Sequence, residues 1–308
     1  MLRSLVRMAA RNGRLATALD NTPAGRVLAS RHLGPADEVR VIEVARGLAD
    51  TERLVALEPL RHPAGTVLRA QASEAAYLRL LDRLTAAGIE GAEVSVRLAA
   101  LVADADPGPV ARSHLVTVCR AAEQQGHRIS LDPEGARGAG AGLALAQDLH
   151  AEFRGTLGVQ LPAHLHRAET DAQLLAEKGM RVRLVWLSVR PVADAAHVEP
   201  AAVDRSFVRC LRILMEGAGT PVIATHDPRL LAIGADLVRR QHREATAQEF
   251  LLDHRMHPVD RRRLMAAGLL VRTNLPYGED WSCYLARRLT EDPGGLSELP
   301  RGLVHRTD

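Results

Sequence analysis

The chain has 308 residues, 46% of them hydrophobic and 25% charged, which fits one large domain or two small ones and an ordinary globular composition. Its net charge is only +3, and Lys178 is the sole lysine, so the basic character is carried by arginine. No basic stripe is interleaved with aromatics, so nucleic acid is not an expected partner. Three widely spaced cysteines, Cys119, Cys210 and Cys283, argue against a disulfide framework and a zinc site, and favour a reducing, cytoplasmic setting. No apolar run approaches the ~18 residues of a spanning helix.

The first nineteen residues are basic and lack acids, but they have no continuous apolar stretch and no cleavage signal, so they read as a surface helix. Residues 1–51 as a whole are expected to be a helical segment packed outside the main domain. From there on, apolar β-branched runs alternate with helical-period runs. The predicted strands are 54–60, 94–101, 129–132, 158–165, 182–188, 221–225, 249–253 and 269–275. The clearest predicted helices between and after them are 74–87, 110–125, 143–153, 171–178, 203–216, 229–241, 259–267 and 281–290. Gly88, Gly126, Gly155, Gly179, Gly217 and Gly268 stand where helices close. Residues 135–142, GARGAGAG, read as a flexible loop above the third strand. Eight strands, each followed by a helix and nearly continuous in apolar residues, predict an α/β fold of the (βα)8 TIM-like barrel kind over residues 52–308, with a C-terminal tail. A doubly wound open sheet is the rival, but it calls for a glycine-rich first βα turn, which is absent.

In such a barrel, chemistry sits at the C-terminal ends of the strands. In chain order those ends offer Glu58, Arg97, Asp132 with Glu134, His164 with His166, Arg183, the Thr225-His226-Asp227 run, and Tyr277. Asp132 and Glu134 alternate onto one face, and Arg97 on the neighbouring strand is the natural cation for Asp132; a plain structural ion pair is an equal reading. His164 and His166 share a face if the strand continues through them, but no third metal ligand stands nearby, and no metal is expected. Asp227 followed by Pro228 is in part simply a helix start. In the last predicted helix Tyr284, Arg287 and Arg288 are spaced i, i+3, i+4, so two guanidiniums and a phenol share one side, a pattern suited to a carboxylate. An isolated arginine pair is more often a solvated face; its place after the eighth strand favours the clamp.

Several segments taken together, VSVRLAAL (94–101), RISLDPEG (128–135), RVRLV (181–185), the 207–231 run ending ATHDPRLL, LVRTNLPYGEDW (270–281) and YLARRLTED (284–292), resemble the proline dehydrogenase family, in its short monofunctional bacterial form. The resemblance implies a distorted (βα)8 barrel that uses FAD to oxidise L-proline, or a similar cyclic amino acid, to the imine pyrroline-5-carboxylate. Electrons then pass to a quinone or another acceptor, with peripheral contact at the inner face of the membrane. It assigns Arg287, Arg288 and Tyr284 to substrate binding, Arg183 to the reactive part of the flavin, and Thr225 and His226 to its nucleotide portion. Asp132 and Arg97 join Arg183 as catalytic candidates. The family's lysine in SVKL is Arg97 here. Its RLVKGAY motif reads RLVWLSV, so a flavin-site lysine is Trp186 and a substrate-site tyrosine is Val189. Its LQAYL reads LPAHL, which puts Pro162 for a glutamine, and its EFQMLYG reads EFLLDHR, which puts Leu251 for a polar contact. The cofactor bed is thus remodelled, and FAD is expected to bind more weakly than in the family, or not at all. Two rival readings follow: a paralogue that binds or senses an amino acid without flavin, and a non-redox enzyme built on His164, His166 and His226.

Overall fold

The computed structural model describes residues 37–51, 53–102, 108–133, 135–186, 195–241, 244, 247–254, 258–278 and 284. Eight parallel strands close into one barrel in chain order. They are β1 (Leu54–Leu60), β2 (Glu93–Arg97), β3 (Arg128–Asp132), β4 (Leu157–Pro162), β5 (Arg181–Val185), β6 (Pro221–Ala224), β7 (Glu249–Asp253) and β8 (Val271–Gly278). Helix α1 (Glu38–Ala49) precedes them. The strands are joined by α2 (Val67–Ala86), α3 (Pro109–Gln124), α4 (Gly135–Leu149), α5 (Ala168–Glu177), α6 (Pro200–Glu216), α7 (Pro228–Arg240) and α8 (Pro258–Ala266). The open-sheet rival is excluded by the pairing of β8 with β1 along the whole of β1.

The helices form where caps and apolar spacing coincide. Asp37 caps α1 by accepting from the Val39 N–H, and Val41, Ala45 and Leu48 share its buried side. That side packs on β1 and β8, where Tyr277, pointing out of the barrel, meets Glu38 at 3.4 Å. Asp227 caps α7, with Pro228 in its first turn. The core between barrel and helices is mostly Leu, Val and Ala, with Phe153, Phe207 and Phe250 as its bulky members. Each such aliphatic side chain contributes about 1.5–3 kcal/mol when fully buried.

Two local expectations are corrected. The GARGAGAG run is helical, the first half of α4. Glycine's poor helix propensity is overridden because the helix lies against the preceding chain: a β-carbon at Gly142 would stand 2.4 Å from Pro133 Cβ. The fourth strand ends at Pro162, not at residue 165. The chain then turns, Leu165 makes an isolated antiparallel bridge to Ala196, His164 is buried and His166 is exposed. The two histidines therefore do not share a face. His166 stacks edge-on against His197, and His164, desolvated and near His197, is pushed down to about 4, so it is neutral at physiological pH.

Candidate active site at the barrel mouth

Arg181 of β5 donates to Glu93 of β2 and to Glu249 of β7, strands that do not adjoin β5, so these side chains cross the barrel interior. Side-chain alternation and the strand register then define the inward set. Glu93, Ser95 and Arg97 face in from β2, Arg181, Arg183 and Val185 from β5, Glu249, Leu251 and Asp253 from β7, and Arg272 and Asn274 from β8. Their register partners Ala56, Asp132, Gln160, Pro162, Val222 and Ala224 share that face.

The floor of the barrel is ionic. Arg272, 0% exposed, holds Glu249 at 2.7 Å and donates to the carbonyls of Val55 and Gly91. Gly158 opens the space beside Arg181, since a β-carbon there would lie 3.0 Å from the Arg181 carbonyl oxygen. Burial works against ionised carboxylates here, but the surrounding guanidiniums prevail. Arg181, Arg183 and Arg272 hold Glu93 far below the usual carboxylate range, and Arg272 and Arg181 hold Glu249 at about 2. Within this cluster Arg181, Arg183 and Arg272 outnumber Glu93 and Glu249, so the floor itself carries an excess of positive charge.

Arg183 is the step from floor to mouth. It is 3% exposed, donates to Ser95 Oγ at 2.8 Å and forms a tight ion pair with Glu93 Oε1, while its buried Nε has no partner among the described residues. Above it the mouth has two unlike arcs. Val185, Val222, Ala224 and Leu251, together with Ala56, form an apolar cluster, and Pro162 adjoins it across the β4–β5 ladder. The other arc is polar. Arg97 and Asp132 face each other across the β2–β3 ladder, and Arg97 also donates to the Arg61 carbonyl, fixing the segment that follows β1. Asn274 bridges Glu58 and Asp253, and Tyr284 donates to Asp253 at 2.7 Å. Arg261 of α8 secures the end of β7 by donating to the carbonyls of Asp253 and His254.

The remaining candidates are placed as follows. Thr225 and His226 lie in the turn from β6 into α7, both buried; Thr225 Oγ1 accepts from the Asp227 N–H, and His226 Nε2 accepts from the Asp253 N–H at 3.1 Å. A neutral His226 therefore carries its proton on Nδ1. Trp186 donates its indole N–H to Asp204 of α6 at 2.7 Å, so its polar edge is committed to the helix layer. Arg287, Arg288, Glu134 and Val189 lie outside the described residues. Among the described residues no group of three or more His, Cys, Asp or Glu side chains is arranged for a metal. Sequence reading missed Asp253 and Asn274 as site residues. The signal available was alternation: each lies an even number of positions beyond an acidic or basic residue at the start of its strand.

The residues present suit a flat cofactor in shape more than in hydrogen bonding. Val185, Ala224 and Leu251 offer an apolar surface, and the buried Arg183 Nε is a donor with no partner among the described residues. Pro162 supplies no N–H, Leu251 no polar atom, and the Trp186 donor is already taken.

The fold is a (βα)8 barrel, and its mouth, where barrel enzymes carry their active sites, sets an apolar arc against a charged one. A profile described as proline dehydrogenase matches residues 42–300, and the chain belongs to the proline dehydrogenase family. Proline dehydrogenase 1 of Bacillus subtilis is 25% identical over 214 residues, 70% of either chain. The proline dehydrogenase of Deinococcus radiodurans is 26% identical over 230 residues, 74% of either chain. Among solved structures, proline utilization A from Bdellovibrio bacteriovorus, inactivated by N-propargylglycine, superposes with a TM-score of 0.80 at 18% identity. That match covers 99% of this chain and 40% of the larger one, and it bears on the fold alone.

Proposed function

We propose that this protein oxidises L-proline or a similar cyclic amino acid to its imine in proline catabolism, with FAD as the cofactor. The observation that carries the reading is the family match over the whole barrel, 42–300, on a mouth with an apolar arc and a polar arc beside it. FAD, when bound, supplies the two-electron acceptor for the oxidation. The chain's own residues do the rest. Val185, Ala224 and Leu251 exclude water on one side, and Arg183, backed by the positive floor, stabilises negative charge that develops above it. Asp132 and Arg97 shape the opposite rim, and Thr225 and His226 border the place of the nucleotide portion. Arg287 and Arg288, which lie outside the described residues, clamp the substrate carboxylate, and Tyr284 precedes them in sequence by three and four positions, the spacing of one helical side. A quinone or comparable acceptor would complete the cycle. No described helix is long and apolar enough to cross a membrane, so any membrane contact would be peripheral or would involve other residues.

The test is direct. Protein purified with excess FAD should show a saturable flavin spectrum that bleaches on addition of a cyclic amino acid. Flavin retained at no concentration would leave the amino-acid-binding reading in its place. For the clamp, Arg287→Met or Arg288→Met should weaken carboxylate binding by ~2 kcal/mol, the loss of a charge-assisted bidentate contact, read as a raised KM or Kd.

A further inference from the structure

A cavity of about 550 Å³ lies outside the barrel wall, between α1 and α2 and against the ends of β1 and β8. Tyr277 and Glu38 line it on the side of α1, Arg69 and Ala72 on the side of α2, and Arg61 and His62 on the segment that follows β1. Its charge is one-sided. Glu38 is the only acid among the described residues that line it, and Glu38 is already paired with Arg83 at 2.6 Å. Arg61 and Arg69 make no ion pair among the described residues, and the buried Arg61 Nε has no hydrogen-bond partner there. The Arg61 guanidinium rests instead over the ring of Tyr77, its carbon 5.5 Å from the ring centroid. That contact is a weaker hold than a bidentate bond to an oxyanion, so an anion entering the cavity would compete for Arg61.

Size and charge limit the ligand. The volume is that of a small-molecule pocket, larger than an inorganic ion fills. Two guanidiniums with no carboxylate of their own call for two negative charges. The cavity is also tied to the mouth. The Arg61 carbonyl accepts from the Arg97 guanidinium, and the Tyr77 hydroxyl accepts from the Arg97 backbone N–H at 3.2 Å. Three residues beyond Arg61, the Ala64 N–H donates to the Ala99 carbonyl at 2.8 Å. A ligand that draws the Arg61 guanidinium off Tyr77 thus acts on two groups that hold Arg97, whose side chain faces the barrel interior.

We infer that this cavity is a second binding site, separate from the mouth, for a small organic dianion, a dicarboxylate or a phosphate monoester, and that its occupant shifts Arg97 through Arg61 and Tyr77. The site requires neither flavin nor proline. Only its consequence for turnover rests on the proposed role of Arg97 in the mouth.

The experiment is calorimetric titration of the full chain, without added flavin, with succinate, glycerol phosphate and acetate. Hydrogen exchange of the Arg97 backbone amide, with and without the dianion, reads the link to the mouth. At least one dianion should bind with a Kd of about 1 mM or below, and acetate at least about tenfold more weakly, since one carboxylate engages one guanidinium. The tighter of succinate and glycerol phosphate tells a dicarboxylate from a phosphate ligand. Arg61→Met and Arg69→Met should each weaken the dianion at least about tenfold, and Ala72→Phe, which keeps every charge and fills the cavity, should do the same. Arg69 and Ala72 are exposed on α2, so these two variants report even where Arg61→Met does not fold. Exchange at Arg97 should change at least about threefold on binding, and not in Arg69→Met at the same dianion concentration. Acetate bound as tightly as both dianions, or binding unchanged by Arg69→Met and Ala72→Phe, would overturn the site. Dianion binding with Arg97 exchange unaltered would overturn the link. The full anion response in a protein whose flavin no amino acid bleaches would overturn the redox reading alone and leave this site standing.

Discussion

At the residue scale, the proposed cofactor site is tested at Trp186. Its indole N–H is satisfied by Asp204, and Asp204 also pairs with Arg229 at 3.2 Å. Replacing Trp186 therefore leaves Asp204 with a partner. Trp186→Lys, which restores the residue of the resembled motif, should tighten flavin binding by about tenfold, the worth of one charge-assisted hydrogen bond near 1.4 kcal/mol. A fluorescence-quenching titration with FAD measures this, and an unchanged Kd would mean that position 186 does not face the ring. Of the residues named from sequence, Arg97, Asp132 and Arg183 lie on the inward face of the barrel, as period-two alternation requires once the strands are placed. Asp253 and Asn274 were overlooked because in one dimension they are a strand-end acid and a lone amide. Only the closing of β8 onto β1 brings both to Glu58.

At the element scale, glycines decide how closely helices approach. Gly142 in α4 faces Pro133, where a β-carbon would fall 2.4 Å from Pro133 Cβ and 2.9 Å from its Cα. Gly142→Ala should therefore destabilise by about 1–3 kcal/mol, because backbone must move and the gain in helix propensity is smaller than that. Gly47, in α1, has nothing within 4 Å of such an atom. Gly47→Ala should stabilise by roughly 0.5–1 kcal/mol through propensity alone. Urea midpoints of the two variants should shift in opposite directions. A composition-based reading sees both as glycines of low helix propensity; the neighbour that distinguishes them is supplied by packing. The same reason explains why the glycine-rich run reads as a loop and folds as a helix.

At the scale of the whole molecule, stability is tied to the ionic floor. Glu93 and Glu249 have folded pKa values depressed below the ordinary 4.5, so their contribution is fully present above that value and is lost as pH falls toward about 2 and below. His164 is also depressed, from 6.5 to about 4, so protonation of the unfolded chain removes stability between those values, ahead of the carboxylates. The unfolding free energy should thus fall in two stages on acidification, and His164→Gln should shrink the upper one, to which His127, His150 and His197, also pushed down by burial, contribute. Glu249→Gln breaks a buried network held by Arg181 and Arg272 and should cost about 3–5 kcal/mol at neutral pH, with a flatter acid limb. Denaturant melts from pH 3 to pH 8, a range set by these values, would check both, and a single-stage decline in the wild type would contradict the assignment to His164.

The sequence by itself determined the repeating strand–helix order, the eight strands and their closure class, and the family. These depend on local periodicity, capping and motif order, which are written along the chain. Tertiary structure decided which charges meet. Glu93, Arg181, Glu249 and Arg272 are spread over four strands, and nothing in their spacing shows that they form one network until the barrel closes. It also decided that Trp186 donates to α6, that His164 and His166 part company after Pro162, and that Asp253 and Asn274 stand in the mouth. The physical reason is the same in each case. Alternation fixes which side of a strand a residue occupies, but strand register and the ends of the strands set its neighbours, and both are consequences of packing the whole barrel.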